Sequence, residues 1–80
     1  MLTNDLKKGA RVKLRNGWMA TVMDNGRGNT RVCEVEGLYT ETGSVYSWDI
    51  VQAKVDKEWL PVDLTESQTK AMLRVQSLGF

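Results

Sequence analysis

Histidine is absent from these 80 residues, which removes the commonest general base near neutral pH and the commonest metal ligand. Cysteine occurs once, at Cys33, so no internal disulfide can form and a reducing, cytosolic compartment is expected. No apolar run approaches the ~20 residues of a membrane span, and no membrane partner is expected. The opening Met1-Leu-Thr-Asn-Asp-Leu-Lys-Lys8 lacks an apolar h-region, so no secretory signal is expected. Proline occurs once, at Pro61, and no repeat, linker or low-complexity stretch interrupts the chain. This length predicts a single domain over 1–80, with a small core and modest stability.

What the sequence does contain is a hairpin. Asn16-Gly17 lies between two runs of β-formers, and glycine supplies the positive φ that a tight turn requires. A two-residue loop would pair Leu14 with Met19 and place Val12 and Leu14 opposite Trp18, Ala20 and Val22. A three-residue loop, Arg15-Asn16-Gly17 with Gly17 in a G1 bulge, pairs Leu14 with Trp18 and Val12 with Ala20. Large apolar groups other than the methionines then share one face. Because a one-residue slip flips every side chain, burial selects the bulged register. Arg11, Lys13, Met19, Thr21 and Met23 point the other way.

Asp24-Asn-Gly-Arg-Gly-Asn29 is a turn cluster. It lacks the Lys-Ser/Thr that follows the glycines of a P-loop, and no long helix follows it, so it reads as a mobile hairpin loop. Thr30 to Glu36 form the third strand, with Cys33 and Val35 inward and Val32, Glu34 and Glu36 outward. Gly37 to Gly43 turn the chain into a fourth strand that starts at Ser44 and continues to Val55, Asp49 being a turn or bulge residue within it. Trp59 to Val62 make a short last strand, and Pro61, without an N–H, places it at an edge. The period then changes. Thr65-Glu-Ser-Gln68 spells a capping box, and Met72, Val75 and Leu78 form an apolar stripe ending at Gly79 as the C′ residue. A helix over about 66–78 is marginal alone, so it must dock, either on the Met19/Met23 face or at an open end. Five short strands over about 9–62 and one terminal helix predict a mainly β, strongly bent sheet, a partly open antiparallel barrel.

Charge is unevenly spread. Residues 1–31 hold seven bases and two acids, residues 32–66 two bases and eight acids, and the tail adds Lys70 and Arg74. Alternate positions Arg11, Lys13 and Arg15 set three bases about 6.6 Å apart along one strand, near the spacing of successive phosphates. With Arg27 and Arg31, and Lys7 and Lys8 beside them, they form a candidate nucleic-acid surface. No aromatic interleaves on that face, so no stacking platform is indicated. The acidic middle offers the opposite candidate, a protein-binding face of Glu34, Glu36, Glu41, Tyr39 and Trp59, able to meet a basic groove. Catalysis is disfavoured. The serines have no histidine to activate them, Cys33 is flanked by glutamates and reads as a core thiol, and a small barrel has little room for a substrate pocket. No catalytic residue, metal site or cofactor is expected.

Leu6-Lys-Lys-Gly9, followed by Val12, Leu14, Gly17, Ala20 and Val22, resembles the opening of SH3-like and KOW-type barrels. More specifically, Val12-Lys-Leu-Arg-Asn-Gly17 with Tyr39-Thr-Glu-Thr-Gly43 and Asp49-Ile-Val51 is similar to small accessory proteins of phages and prophages. The likeness covers about residues 6–52. It implies an SH3-like barrel made in the cytoplasm of a bacterial host, dispensable to the particle and acting on a host or phage macromolecule. KOW-type domains bind RNA or protein partners of transcription and translation, and the acidic middle departs from them. The expected function is therefore a non-catalytic interaction module that binds and inhibits or redirects a host protein such as a defence complex. The alternative is nucleic-acid binding through the basic hairpin. A monomer or a homodimer, the latter through Met19 and Met23, fits either reading.

Overall fold

The structure is a computed structural model that describes residues 1–78. Its hairpin has the register that burial demands. Strand β1 (Arg11–Leu14) pairs with β2 (Met19–Val22), setting Val12 opposite Ala20 and Lys13 opposite Met19. Leu14 N–H donates to the Trp18 carbonyl at 2.8 Å, Gly17 N–H donates to the Leu14 carbonyl at 2.9 Å, and Gly17 has φ +91°. Asn16 Oδ1 accepts from Trp18 N–H at 3.0 Å and fixes the turn. Val12, Ala20 and Val22 are fully buried. Trp18 shares the expected face but is only half covered, 45% exposed, with its ring lying over Gly37, where a methyl group would collide with it.

Strand β3 (Thr30–Glu36) occupies its expected range, with Cys33 fully buried and Val35 packed against the core. The next segment is a correction. Instead of one strand starting at Ser44, β4 (Thr40–Tyr46) begins earlier and contains Gly43. A 3-10 turn (Ser47–Asp49) then hands the chain to β5 (Ile50–Val55). Ser47 and Trp48 are both buried, which the alternation of a strand does not permit. The tight turn does permit it, and it stacks Trp48 on Tyr46 with ring centroids 4.5 Å apart. Asp49 is a turn residue as expected, but its carboxylate meets Arg15 Nε at 3.6 Å rather than backbone N–H groups.

Strand β6 (Glu58–Pro61) completes a six-stranded antiparallel sheet in the order β4-β3-β2-β1-β5-β6. The count is six rather than five because the Ser47–Asp49 turn divides the expected fourth strand into β4 and β5, while Asp56 and Lys57, at φ 50° and 73°, close the expected turn between β5 and β6. The sheet is also open. No ladder joins β4 to β6 among the described residues, so the expected barrel is not closed. Pro61 lies on an edge strand, where its missing N–H is harmless. Leu6, Val12, Leu14, Ala20, Val22, Cys33, Ile50 and Ala53 form the core on the sheet's inner face.

The lead-in makes one 3-10 turn (Thr3–Asp5), and residues 1–3 run beside Asp63, with Thr3 N–H and the Met1 carbonyl each bonded to it at 2.8 Å. Helix α1 (Glu66–Ser77) starts at the expected capping box. Thr65 Oγ1 accepts from Gln68 N–H at 3.2 Å, and Gln68 Oε1 accepts from Thr65 N–H at 3.0 Å. It docks chiefly against the Ser47–Asp49 turn rather than on the Met19/Met23 face, where Met19 is half-buried and Met23 exposed. Ala71, Met72 and Val75 are half-buried and Leu78 is exposed, while Gly79 lies outside the described residues. Among the described residues, no helix is long and apolar enough to cross a membrane.

Candidate functional site

Strand pairing decides which side chains meet. On the outer face a row runs Thr40, Glu36, Met19, Lys13, Gln52, Pro61 across all six strands. Acidic and basic candidates are thus interleaved rather than separated. Arg11 Nη1 bonds Glu36 Oε2 and, at 2.9 Å, Thr21 Oγ1. Lys13 Nζ sits 4.8 Å from the centroid of the Trp59 ring, a cation–π contact. Arg15 Nη2 donates to the Trp48 carbonyl at 2.6 Å, beside its ion pair with Asp49. The regular row of free cations seen in the sequence is, in the fold, a set of internal ties.

Arg31 departs furthest from the sequence reading. It shares the inward parity of Cys33 and has no exposed surface to offer a phosphate. Its guanidinium bonds the carbonyls of Gly28 and Thr30 at 2.9 and 2.8 Å, Ser47 Oγ at 3.2 Å and Asn4 Oδ1 at 3.1 Å. Burial pushes its pKa down, opposed by the charges of Asp24 and Cys33. Arg31 Nε is buried with no partner. Gln68, almost fully buried, joins the cluster by donating to Asn4 Oδ1 and to the Gly28 carbonyl, both at 3.0 Å. Nothing in residue order announces this meeting of positions 4, 28, 31, 47 and 68. Arg27, in a loop, and Arg15, in a turn, are both exposed, and Arg27 has no ion pair among the described residues.

The acidic and aromatic candidates do not converge either. Glu34 and Glu36 face outward in mid-sheet, and Trp59 lies far along that face on β6. Glu41 pairs with Val35, so it sits on the inner side of edge strand β4. Tyr39 is 78% exposed at the turn between β3 and β4, beside Leu38 at 90%. Leu38 was missed in the sequence, although an apolar pair directly after Gly37 in a turn was a readable signal.

The sequence also did not predict a groove on the inner face. It has a volume of about 430 Å³ and is lined by Leu14, Trp18, Val35 and Val45, with Arg15 and Asp49 at one end. It exists because the sheet does not close, leaving β4 with only Val45 half-buried among its seven residues. Beside it, two bonds fix the polarity of the edge: Gly37 N–H to the Tyr39 carbonyl at 3.2 Å, and Ser47 N–H to the Asn29 carbonyl at 2.8 Å. Odd positions of β4 therefore bond β3. Thr40, Thr42, Ser44 and Tyr46 turn their N–H and C=O groups to the open side.

Cys33 is buried and its thiol is pushed up to about 11, first by desolvation and then by Asp24, with Arg31 opposing. A thiol so protonated is a poor nucleophile. Among the described residues, no group of three or more acidic or cysteine side chains is placed to hold a metal ion. Comparison with family models, with curated proteins and with solved structures yields no match.

Proposed function

We propose that this chain is a non-catalytic interaction module that captures an extended segment of a host protein along β4. The carrying observation is the pairing of a bare sheet edge with an adjoining apolar groove. Four outward-facing backbone positions offer main-chain hydrogen bonds, and the groove between Trp18 and Val45 receives an apolar side chain of the incoming strand. Leu38 and Tyr39 extend the contact at the turn, and Glu41 favours a basic residue on the partner.

The meander β1 to β4, with β5 returning beside β1 after a 3-10 turn, supports an SH3-like reading of the open sheet. The phage-like motifs of residues 12–17, 39–43 and 49–51 support an accessory protein acting in the cytoplasm of a bacterial host, where it inhibits or redirects a target such as a defence complex. Nucleic-acid binding through the first hairpin is the weaker reading, because Arg11, Lys13, Arg15 and Arg31 are committed to contacts within the protein.

The test is a nuclease-treated pull-down from host lysate using the native chain, Thr42→Pro and Trp18→Ala side by side. One stoichiometric protein that survives nuclease and is lost with Thr42→Pro supports strand capture. Retention by Thr42→Pro, or an eluate that disappears with nuclease, overturns it.

A further inference from the structure

We propose that the recess between the Thr3–Asp5 turn and the 24–29 loop is a binding site for a phosphate-type dianion. It has a volume of about 280 Å³ and is lined by Asn4, Leu6, Lys7, Asn25 and Arg27. Two cations and two amides surround an apolar floor, and no carboxylate lines the recess.

The orientation of both amides follows from obligate donors. Asn4 Oδ1 receives hydrogen bonds from Arg31 Nη2 at 3.1 Å and from Gln68 Nε2 at 3.0 Å. A guanidinium can only donate, and Gln68 is itself fixed because its Oε1 accepts from Thr65 N–H. Asn25 Oδ1 accepts from the backbone N–H of Lys8 at 3.0 Å, another group that can only donate. Both carbonyl ends are thus occupied, and both Nδ2 groups are left as donors. With Lys7 and Arg27, every polar side chain lining the recess presents hydrogen-bond donors.

Behind this wall lies the buried guanidinium of Arg31, which no carboxylate contacts among the described residues. The nearest acids are otherwise engaged. Asp24 accepts from the N–H groups of Gly26 and Val32, both at 3.2 Å, and Asp5 accepts from Leu2 N–H at 3.0 Å. The field over these fixed donors is net positive, because Lys7, Arg27 and Arg31 outnumber Asp5 and Asp24, and the charge of Asp24 offsets that of Arg31 only in part. A tetrahedral oxyanion of charge −2 matches it, because its several oxygens can meet amides and cations together. Free phosphate and a phosphate monoester share this chemistry. This inference is independent of strand capture at β4, because the recess is lined by the lead-in and the 24–29 loop and by no residue of β4.

Two isosteric substitutions make the test sharp. Asn25→Asp keeps the acceptor for Lys8 N–H and replaces the inward donor by an anionic oxygen. Asn4→Asp keeps the bonds from Arg31 and Gln68, supplies the counterion Arg31 lacks, and places negative charge at the recess. The full chain is titrated with inorganic phosphate, adenosine 5′-monophosphate and adenosine at constant ionic strength, following side-chain amide resonances of Asn4 and Asn25 by NMR. Saturable shifts are expected with one or both phosphorylated probes and none with adenosine. Saturation by the nucleotide alone identifies a monoester as the ligand, and saturation by phosphate equal to or tighter than the nucleotide identifies the free ion. Asn25→Asp should weaken binding at least tenfold. Asn4→Asp should do the same while raising the melting temperature, a combination that a merely damaged fold cannot give. Shifts that sodium chloride reproduces, equal binding of adenosine, or binding retained by both variants overturns the proposal.

Discussion

The two edges of the sheet are built on opposite principles. At β6, Pro61 removes a donor, the Met1 ammonium bonds the Pro61 carbonyl at 3.2 Å, and residues 1–3 bridge to Asp63. The Trp59 ring beneath Lys13 covers the outer side. These are the devices by which soluble proteins blunt an edge against unwanted pairing. At β4 only one such device is present, the inward charge of Glu41: the strand has no proline or lysine, carries a central glycine, and is exposed on both faces apart from Val45. This contrast between a guarded and a bare edge is what supports the proposed capture at β4.

The strongest way to break this contrast is within β4 itself. Gly43 bonds β3, whereas Thr42 and Ser44 face the open side. Gly43→Pro should therefore cost about 3 kcal/mol or more in denaturant unfolding, and Ser44→Pro about 1 kcal/mol or less. Equal costs would refute the assigned edge polarity. Hydrogen exchange should agree, with Thr42 and Ser44 amides exchanging quickly and those of Gly43 and Val45 protected.

Cys33 lies opposite Gly43 and reports on the same ladder. Its folded pKa of about 11 exceeds the ordinary 9.0, so its contribution is complete below pH 9 and is lost as pH rises through 11. Unfolding measured across that window should lose on the order of 2 kcal/mol, and Cys33→Ala should flatten the slope. An unchanged slope in the variant would assign the alkaline loss elsewhere.

The β5–β6 turn sharpens the comparison from the guarded side. Asp56 and Lys57 hold positive φ without being glycine, so Asp56→Asn with Lys57→Gly should stabilise by about 1 kcal/mol. A melting temperature at or below that of the native chain would show the turn to be unstrained. Smallest of all, Arg11→Gln should cost less than about 1 kcal/mol and its effect should fade with salt, because both members of the Arg11–Glu36 pair are well exposed.

Local signals were readable in the sequence and distant ones were not. Asn16-Gly17 and the flanking apolar spacing specified the hairpin register, Thr65 and Gln68 the helix start, and Pro61 an edge. The 3-10 turn at Ser47–Asp49 was hidden because Tyr46, Trp48 and Ile50 mimic strand alternation. Arg31 looked like a surface base because its burial depends on acceptors from three other segments. The sequence suggested a partly open barrel, but how far the sheet opens was not legible, since it reflects a pairing between β4 and β6 that does not form. Of the site residues, Glu41, Tyr39 and Arg27 stand in exposed positions, while the groove and the recess arise only from tertiary placement.

The Asn4–Gln68 hydrogen bond spans 64 residues of sequence and closes over Arg31. A nascent chain leaving the ribosome can assemble its hairpins as they emerge, but this latch must wait until the capping box has cleared the exit tunnel. Until then, an arginine destined for the interior remains hydrated, and the helix has no seat. The latch is therefore expected to form late, so that Gln68→Ala should speed unfolding while leaving the folding rate nearly unchanged.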